Sequence, residues 1–183
     1  MGGASVAVAL TGEAAEVLLR YQRDAILHGQ LWRLLTAHLV HLGPLHLVLN
    51  LIGLVLIWFG FLRPAPLSFG ALLACFTCCA LGTSLGLLLF MPELHWYVGL
   101  SGLLHGLAGA AALELWRDGR RIGAALAGLI AVKLIIEAAS GPSSEGLLSV
   151  EGPVITEAHF YGTAGGALFS ALRHAMKARK QVG

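Results

Sequence analysis

The sequence predicts an all-α protein, one bundle of membrane-spanning helices whose first helix is short or missing. Two observations support this fold class. Hydrophobic residues make up 57% of the 183 residues and charged residues only 12%, whereas a soluble domain carries about 25% charged residues. Several apolar runs also reach the roughly 20 residues that a helix needs to cross a bilayer. The formal net charge of +2 gives no reason to expect a nucleic-acid partner.

Five segments are predicted to cross the bilayer, and residues 1–183 are interpreted as one membrane domain. The predicted spans are residues 45–62, 67–91, 99–116, 122–139 and 154–175. Residues 1–44 would form an N-terminal segment and an external loop, and residues 176–183 a basic cytoplasmic tail. The apolar run 5–10 is too short to span. Either the chain begins outside the membrane core, or a preceding helix is missing.

The distribution of positive charge predicts the orientation. Basic residues cluster after the first span, after the third span and in the tail: Arg63; Arg117, Arg120 and Arg121; Arg173, Lys177, Arg179 and Lys180. The loops 92–98 and 140–153 contain no Lys or Arg. By the positive-inside rule the basic side is cytoplasmic. We therefore expect a multi-pass protein of a bacterial inner membrane, although Arg20, Arg23 and Arg33 precede the first span and oppose this orientation.

Four polar residues begin spans on the opposite side. They are His46, Asn50, Ser101 and His159, and they come from three different spans. Polar groups inside a membrane are costly and usually mark a water-filled functional site. This convergence predicts a site in the non-cytoplasmic leaflet.

The residue types at this site fit acyl transfer. Ser101 can act as a nucleophile if a base removes its proton, and a histidine is the usual base. We favour His159, which approaches from another helix, and assign His105, one turn along the helix of Ser101, a packing or supporting role. His46 and Asn50 share a helix face, so both can donate to a developing oxyanion.

The backbone and the glycines contribute to the same prediction. Ser101 opens its helix, so its N–H lacks an intrahelical acceptor and is available to the oxyanion. Gly99 and Gly102 remove side chains that would block a substrate backbone. Gly162 and Gly166, with glycines on the Ser101 helix, let two membrane helices approach closely.

The elements WRLLT, HLVLN, GLSG and AHFYGTAGG, in this order, resemble the rhomboid family of intramembrane serine proteases. The resemblance covers residue 31 to the C-terminus. It implies a six-helix core with Ser101 as nucleophile, His159 as base and no acidic third member. It also implies an oxyanion hole formed by His46, Asn50 and the Ser101 backbone.

A finer resemblance is to the rhombosortase subfamily, on the small size, the LHG after the serine and the EAHFYG context. It implies cleavage of exported proteins that carry a GlyGly-CTERM tail, which is a glycine motif, an apolar helix and basic residues. The expected partner is then a membrane-anchored substrate with a C-terminal apolar helix. Many rhomboids stack a tyrosine on the catalytic histidine. Here His105 stands in that place, where two roles are open: it can stack in the same way, or it can titrate.

The element with Trp32 and Arg33 belongs to the first external loop in this resemblance. Both residue types favour the membrane interface, so a simple anchor is the alternative interpretation. We expect an anchored loop that also braces the mouth of the site. In the fourth span, Lys133 and Glu137 are spaced to form an ion pair.

No cofactor and no metal are predicted. Cys75, Cys78 and Cys79 are interpreted as small apolar residues of a span. His38 and His41 are interpreted as hydrogen-bonding residues of the external loop, with a metal pair as the alternative.

Two other functional classes remain as alternatives. One is a catalytically inactive rhomboid-like protein that binds membrane helices, which the intact Ser101 and His159 disfavour. The other is a small transporter, which would require more charged residues within the spans. The sequence does not predict the oligomeric state.

Overall fold

The computed structural model describes residues 1–140 and 154–182. Short elements form the N-terminal part: α1 (Gly2–Leu10), α2 (Glu13–Leu19), β1 (Tyr21–Gln22), α3 (Arg23–Leu27) and α4 (Arg33–Thr36), followed by a 3₁₀ turn, Ala37–Leu39. The nine residues of α1 reach only about 14 Å at helical rise. This helix is therefore too short to span, as the apolar run 5–10 predicted.

Five long helices follow. They are α5 (Pro44–Ile57), which continues as a π-helical turn (Trp58–Leu62), α6 (Phe69–Phe90), α7 (Ser101–Arg117), α8 (Arg121–Ser140) and α9 (Glu157–Val182). The predicted all-α class is confirmed, and each long helix overlaps one predicted span. Helix α9 continues to Val182, beyond the predicted end of the last span at residue 175. The predicted loop 140–153 lies, apart from Ser140, outside the described residues.

Three of these helices are long and apolar enough to cross a membrane by length and composition: Pro44–Leu62, Phe69–Phe90 and Arg121–Ser140. Helix α7 has only 17 residues, and α9 carries many polar side chains. Large apolar side chains on the outside of the bundle, such as Leu56, Phe69 and Ile135, are more than half exposed. A lipid environment removes the cost of exposing them to water.

Helix α7 lies at the centre of the bundle and packs against α5, α6, α8 and α9. Its sequence explains this position, because the seven consecutive residues from Gly106 to Ala112 are small or apolar and all buried, and together they cover every side of the helix. A helix that is apolar all round is stable only when other helices surround it.

Polar contacts join the basic residues at one end of the bundle, which we call the basic end. Arg120 donates to the carbonyl of Pro64 at 2.8 Å, and Arg173 forms an ion pair with Glu114. Ser170 of α9 also donates to Glu114, at 2.7 Å. The turns after α5 and α7 and the second half of α9 therefore meet there, as the alternation of spans predicts. The first turns of α5, α7 and α9 lie at the opposite end, which we call the site end.

A two-stranded antiparallel ribbon ties the N-terminal part to the loop before α7. Strand β1 pairs with β2 (Trp96–Tyr97), with Tyr21 opposite Tyr97. The N–H of Arg23 extends the contact by donating to the carbonyl of His95 at 2.9 Å. This ribbon holds the chain that leads into the first residue of α7.

Candidate active site

Ser101 follows a tight turn centred on Gly99. The φ angle of Gly99 is +125°, a conformation that favours glycine. Its N–H donates to the carbonyl of Ala37 at 3.2 Å, and its own carbonyl accepts from the Tyr97 hydroxyl at 3.1 Å. A Cβ at Gly99 would also lie 2.9 Å from Cε1 of His46. Strain and space thus both require glycine here, and the turn delivers Ser101 to the first position of α7.

The hydroxyl of Ser101 meets the ring of His159. Its Oγ lies 3.0 Å from Nε2 of His159, which belongs to the first turn of α9, and the His159 residue is only 4% exposed. The two side chains that the sequence paired are therefore within hydrogen-bond distance. Such a contact is what a base needs in order to take the proton from a serine.

Glycines on α7 and α9 allow this close approach. A Cβ at Gly102 would lie 2.7 Å from the carbonyl oxygen of Ala158, the residue before His159. A Cβ at Gly162 would overlap the carbonyl oxygen of Gly102, and one at Gly166 that of Gly106. The prediction that small residues bring two helices together fits these contacts. Gly102, however, faces Ala158 and not the cavity, so the expectation that it leaves room for a substrate backbone is wrong.

His105 lies against the face of the His159 ring. The two ring centroids are 4.0 Å apart, with 17° between the planes. Nδ1 of His105 donates to the Ser101 carbonyl at 2.8 Å, so that nitrogen is not available to the serine hydroxyl. This placement fits the predicted supporting role.

Glu137 contacts the other edge of His159. Both of its carboxylate oxygens lie 3.0 Å from Nδ1 of His159, and the carboxylate also pairs with Lys133 one turn earlier in α8. The ion pair with Lys133 was predicted from the spacing. The contact with His159 was not, and the resemblance implied no acidic group at this position. The geometry corrects that expectation, because an acidic side chain does lie on the histidine.

The predicted oxyanion donors lie on α5. The backbone N–H of Leu42 donates to Nδ1 of His46 at 3.3 Å, so a neutral His46 carries its proton on Nε2, the nitrogen nearer Gly99. One N–H of the Asn50 amide donates to the carbonyl of His46 at 3.0 Å, within its own helix. Only the other N–H of Asn50 is then available to a ligand.

Arg33 anchors the external loop to the segment that precedes it in the chain. Arg33 is 6% exposed and donates to the carbonyls of Val17 and Arg20, each at 2.8 Å. Trp32 is nearly half exposed and donates to the carbonyl of Leu18 at 3.3 Å. Arg33 thus braces the segment, whereas Trp32 keeps a surface available to the interface.

Two histidines of the loop have separate partners. Burial lowers the pKa of His38, whose ring nitrogens lie 3.2 Å from the Gly99 carbonyl and 3.1 Å from the Ala80 carbonyl. Burial, together with the nearby His46, lowers the pKa of His41 to about 4. His38 therefore ties the loop to the turn before Ser101. The interpretation of these residues as hydrogen-bonding loop residues fits better than a metal pair.

One group within the described residues can be considered as a metal site. The potential ligand atoms of His105, Glu137 and His159 lie within 4.8 Å of one another. A metal lies near the plane of each imidazole that binds it, but these two rings are stacked. Lys133 and Ser101 already occupy hydrogen-bonding groups of Glu137 and His105. Hydrogen bonding explains the cluster better than metal binding does.

A cavity of about 620 Å³ lies in front of Ser101 and His159. His46, Asn50 and His105 also line it, and its other walls come from α5, α7, α8 and the segments that precede α7 and α9. Most of these walls are apolar, with Leu49, Leu129 and Ile155 among them. A mostly apolar cleft with a few convergent polar groups is typical of a substrate site.

Comparison with known families agrees with this fold and site. The Rhomboid domain matches residues 28–176, and the chain therefore belongs to the rhomboid family. Members of this family are in general intramembrane serine proteases, so the protein is a multi-pass membrane protein of a protease-type family. The search of curated proteins gave no match.

Proposed function

We propose that this protein is an intramembrane serine endopeptidase in which Ser101 is the nucleophile and His159 the general base. The observation that carries the proposal is the 3.0 Å contact between Ser101 Oγ and His159 Nε2. It occurs at the site end of the bundle, inside a mostly apolar cavity. A serine and a histidine so placed can perform both halves of acyl transfer.

The reaction begins when His159 Nε2 takes the hydroxyl proton and Ser101 Oγ bonds to the substrate carbonyl carbon. The negative charge that develops on the carbonyl oxygen needs donors. The Ser101 N–H, which has no acceptor in its own helix, and Nε2–H of His46 supply them, with the free N–H of Asn50. His159 then gives the proton to the leaving amine as the C–N bond breaks, and a water molecule releases the acyl group by the same steps.

The walls of the cavity indicate the substrate class. Leu49 and Asn50 of α5 and Leu129 of α8 line it, so an apolar segment can approach between these two helices. A peptide bond within an intact helix is covered by its neighbours and hydrogen-bonded, so the end of the substrate helix must unwind. Glycine lowers that cost by roughly 1 kcal/mol per residue relative to alanine.

The substrate is therefore a single apolar helix with glycines at its exposed end and basic residues after it, as in a GlyGly-CTERM tail. The basic residues would remain on the cytoplasmic side by the rule that orients the enzyme. The site end would face the periplasm of a bacterial inner membrane. This assignment is supported by the EAHFYG and LHG contexts and by the clustering of Arg120 and Arg173 at the basic end.

Cleavage of two matched substrates in liposomes tests the proposal. Both carry the same apolar helix and basic end, and they differ only in Gly-Gly or Leu-Leu at the top of the helix. The Gly-Gly substrate should be cut at least about tenfold faster, since two glycines remove about 2 kcal/mol of helix stability. Equal rates would contradict the substrate preference. Binding of both substrates without cleavage would contradict the proposed protease activity and favour a protein that only binds membrane helices.

A further inference from the structure

We infer that Glu137 is a positioning residue for His159, so that the catalytic group is Ser101–His159–Glu137. The inference rests on the proposed function, because it assigns Glu137 a role through the proposed base. It also adds a residue from α8 to a site that otherwise combines α5, α7 and α9.

The contacts of His159 define the arrangement. Its Nδ1 lies 3.0 Å from both oxygens of Glu137, and its Nε2 lies 3.0 Å from Ser101 Oγ. An ionised carboxylate only accepts hydrogen bonds, so Nδ1 carries the proton. Nε2 then presents its lone pair to the serine hydroxyl. The carboxylate thus selects the tautomer that a general base requires.

Glu137 also responds to the charge that forms during the reaction. When His159 takes the serine proton, the ring becomes a cation inside a site where it is 4% exposed. A carboxylate in contact with Nδ1 stabilises that cation without itself taking a proton. The proton leaves through Nε2 to the amine, so the Glu137–His159 contact persists through the cycle.

A helix ion pair alone does not explain these contacts. Lys133 and Glu137 are spaced to pair on any exposed helix face, and the Lys133 side chain is 48% exposed. The Glu137 side chain is only 17% exposed and reaches across to α9. Lys133 therefore holds the carboxylate from one side while His159 occupies the other.

Four variants separate positioning from structure. Glu137→Gln keeps the volume but removes the charge, and its amide can present an N–H to Nδ1 and so favour the wrong tautomer. Glu137→Asp keeps the carboxylate but shortens the side chain by one methylene, which moves the charge away from His159. Lys133→Met breaks only the helix ion pair. Glu157→Gln makes the same chemical change at an exposed position two residues before His159 and serves as the matched control.

Three readouts are measured on the full chain in detergent: kcat and KM for the Gly-Gly substrate, the rate of fluorophosphonate labelling, and histidine ¹⁵N NMR. Glu137→Gln should lower kcat by about 100-fold or more, with KM within about twofold. Glu137→Asp should recover part of the loss. Glu157→Gln should stay within about twofold in kcat. Lys133→Met should lose less than about tenfold, since an exposed helix pair contributes little.

The NMR readout reports the contact itself. In the wild type, His159 should carry its proton on Nδ1, and Glu137→Gln should change that protonation pattern while Glu157→Gln leaves it unchanged. An active wild type with Glu137→Gln at the same kcat and the same tautomer would overturn the inference and leave the proposed function intact. If the wild-type protein is not labelled by the fluorophosphonate and does not cleave the Gly-Gly substrate, the proposed function is overturned, and the role of Glu137 with it.

Discussion

The imidazole ring of His105 stacks on the ring of His159, with 4.0 Å between their centroids and 17° between their planes. The ring of His159 is therefore held on its face by His105, while Glu137 and Ser101 contact its two nitrogens. His105 is anchored in turn by its hydrogen bond to the Ser101 carbonyl. The stack fixes the plane in which His159 meets the serine.

Replacing His105 by phenylalanine should preserve the stack. The aromatic ring remains, and a change of similar volume is usually tolerated, so we expect cleavage within about threefold of the wild type. His105→Ala removes the ring and lets His159 turn, which should lower kcat by about tenfold. Rates of fluorophosphonate labelling and of cleavage measure both effects. If the phenylalanine variant is as inactive as a His159→Ala variant, the imidazole of His105 takes part in the chemistry.

His46→Ala should lower turnover more than binding. The N–H of Leu42 fixes the proton of neutral His46 on Nε2, and one such oxyanion donor typically contributes about 100-fold in rate. Asn50→Ala should cost less than His46→Ala, because one of its N–H groups already donates to the His46 carbonyl. Separate kcat and KM values for the two variants provide the measurement. A rise in KM with kcat unchanged would make these residues substrate contacts instead.

Alanine at the glycines between α7 and α9 should destabilise the protein. Gly106→Ala would place a Cβ 2.7 Å from Cys79 Sγ and also against the Gly162 carbonyl, so the helices must separate. Gly128→Ala is the matched control, since nothing lies within 4 Å of its added Cβ, and it should be neutral or stabilising by up to about 1 kcal/mol. Thermal unfolding in detergent compares them. Equal melting temperatures for the two variants would contradict the close packing of α7 on α9.

The basic end should face the cytoplasm. A reporter fused after Gly183 should be active only in its cytoplasmic form, and a reporter fused to a chain that ends at Ser140, at the other end of α8, only in its periplasmic form. Arg120 and Arg173 supply the physical reason, because they join the turns of one end. The reverse pattern would place Ser101 in the cytoplasmic leaflet.

Much of the site could be predicted from the sequence because each of its parts can be recognised in its own short stretch of the chain. Ser101 and His159 each lie near the start of a predicted span on the same side, and the glycine spacing on α7 and α9 predicts their contact. The bilayer also restricts which residues can be neighbours, because a polar residue at that depth needs a polar partner.

Glu137 was missed as a partner of His159 for a physical reason. Its spacing from Lys133 already gave a sufficient local explanation, and His159 lies 22 residues away on another helix. The signal was nevertheless present: Glu137 is an ionisable residue near the end of a span, on the same side as Ser101. The short helices of residues 13–39 were not predicted either, because their positions depend on long-range contacts such as those of Arg33 with Val17 and Arg20.

The most direct test of the account is the site of covalent labelling by a fluorophosphonate, read by mass spectrometry of the detergent-purified protein. The reagent reacts with a serine only when a base activates it. We expect a single adduct on Ser101 in the wild type, none in Ser101→Ala, and a rate at least about 100-fold lower in His159→Ala. Equal labelling of the wild type and Ser101→Ala, or an adduct on another residue, would contradict the assignment of Ser101 as the nucleophile.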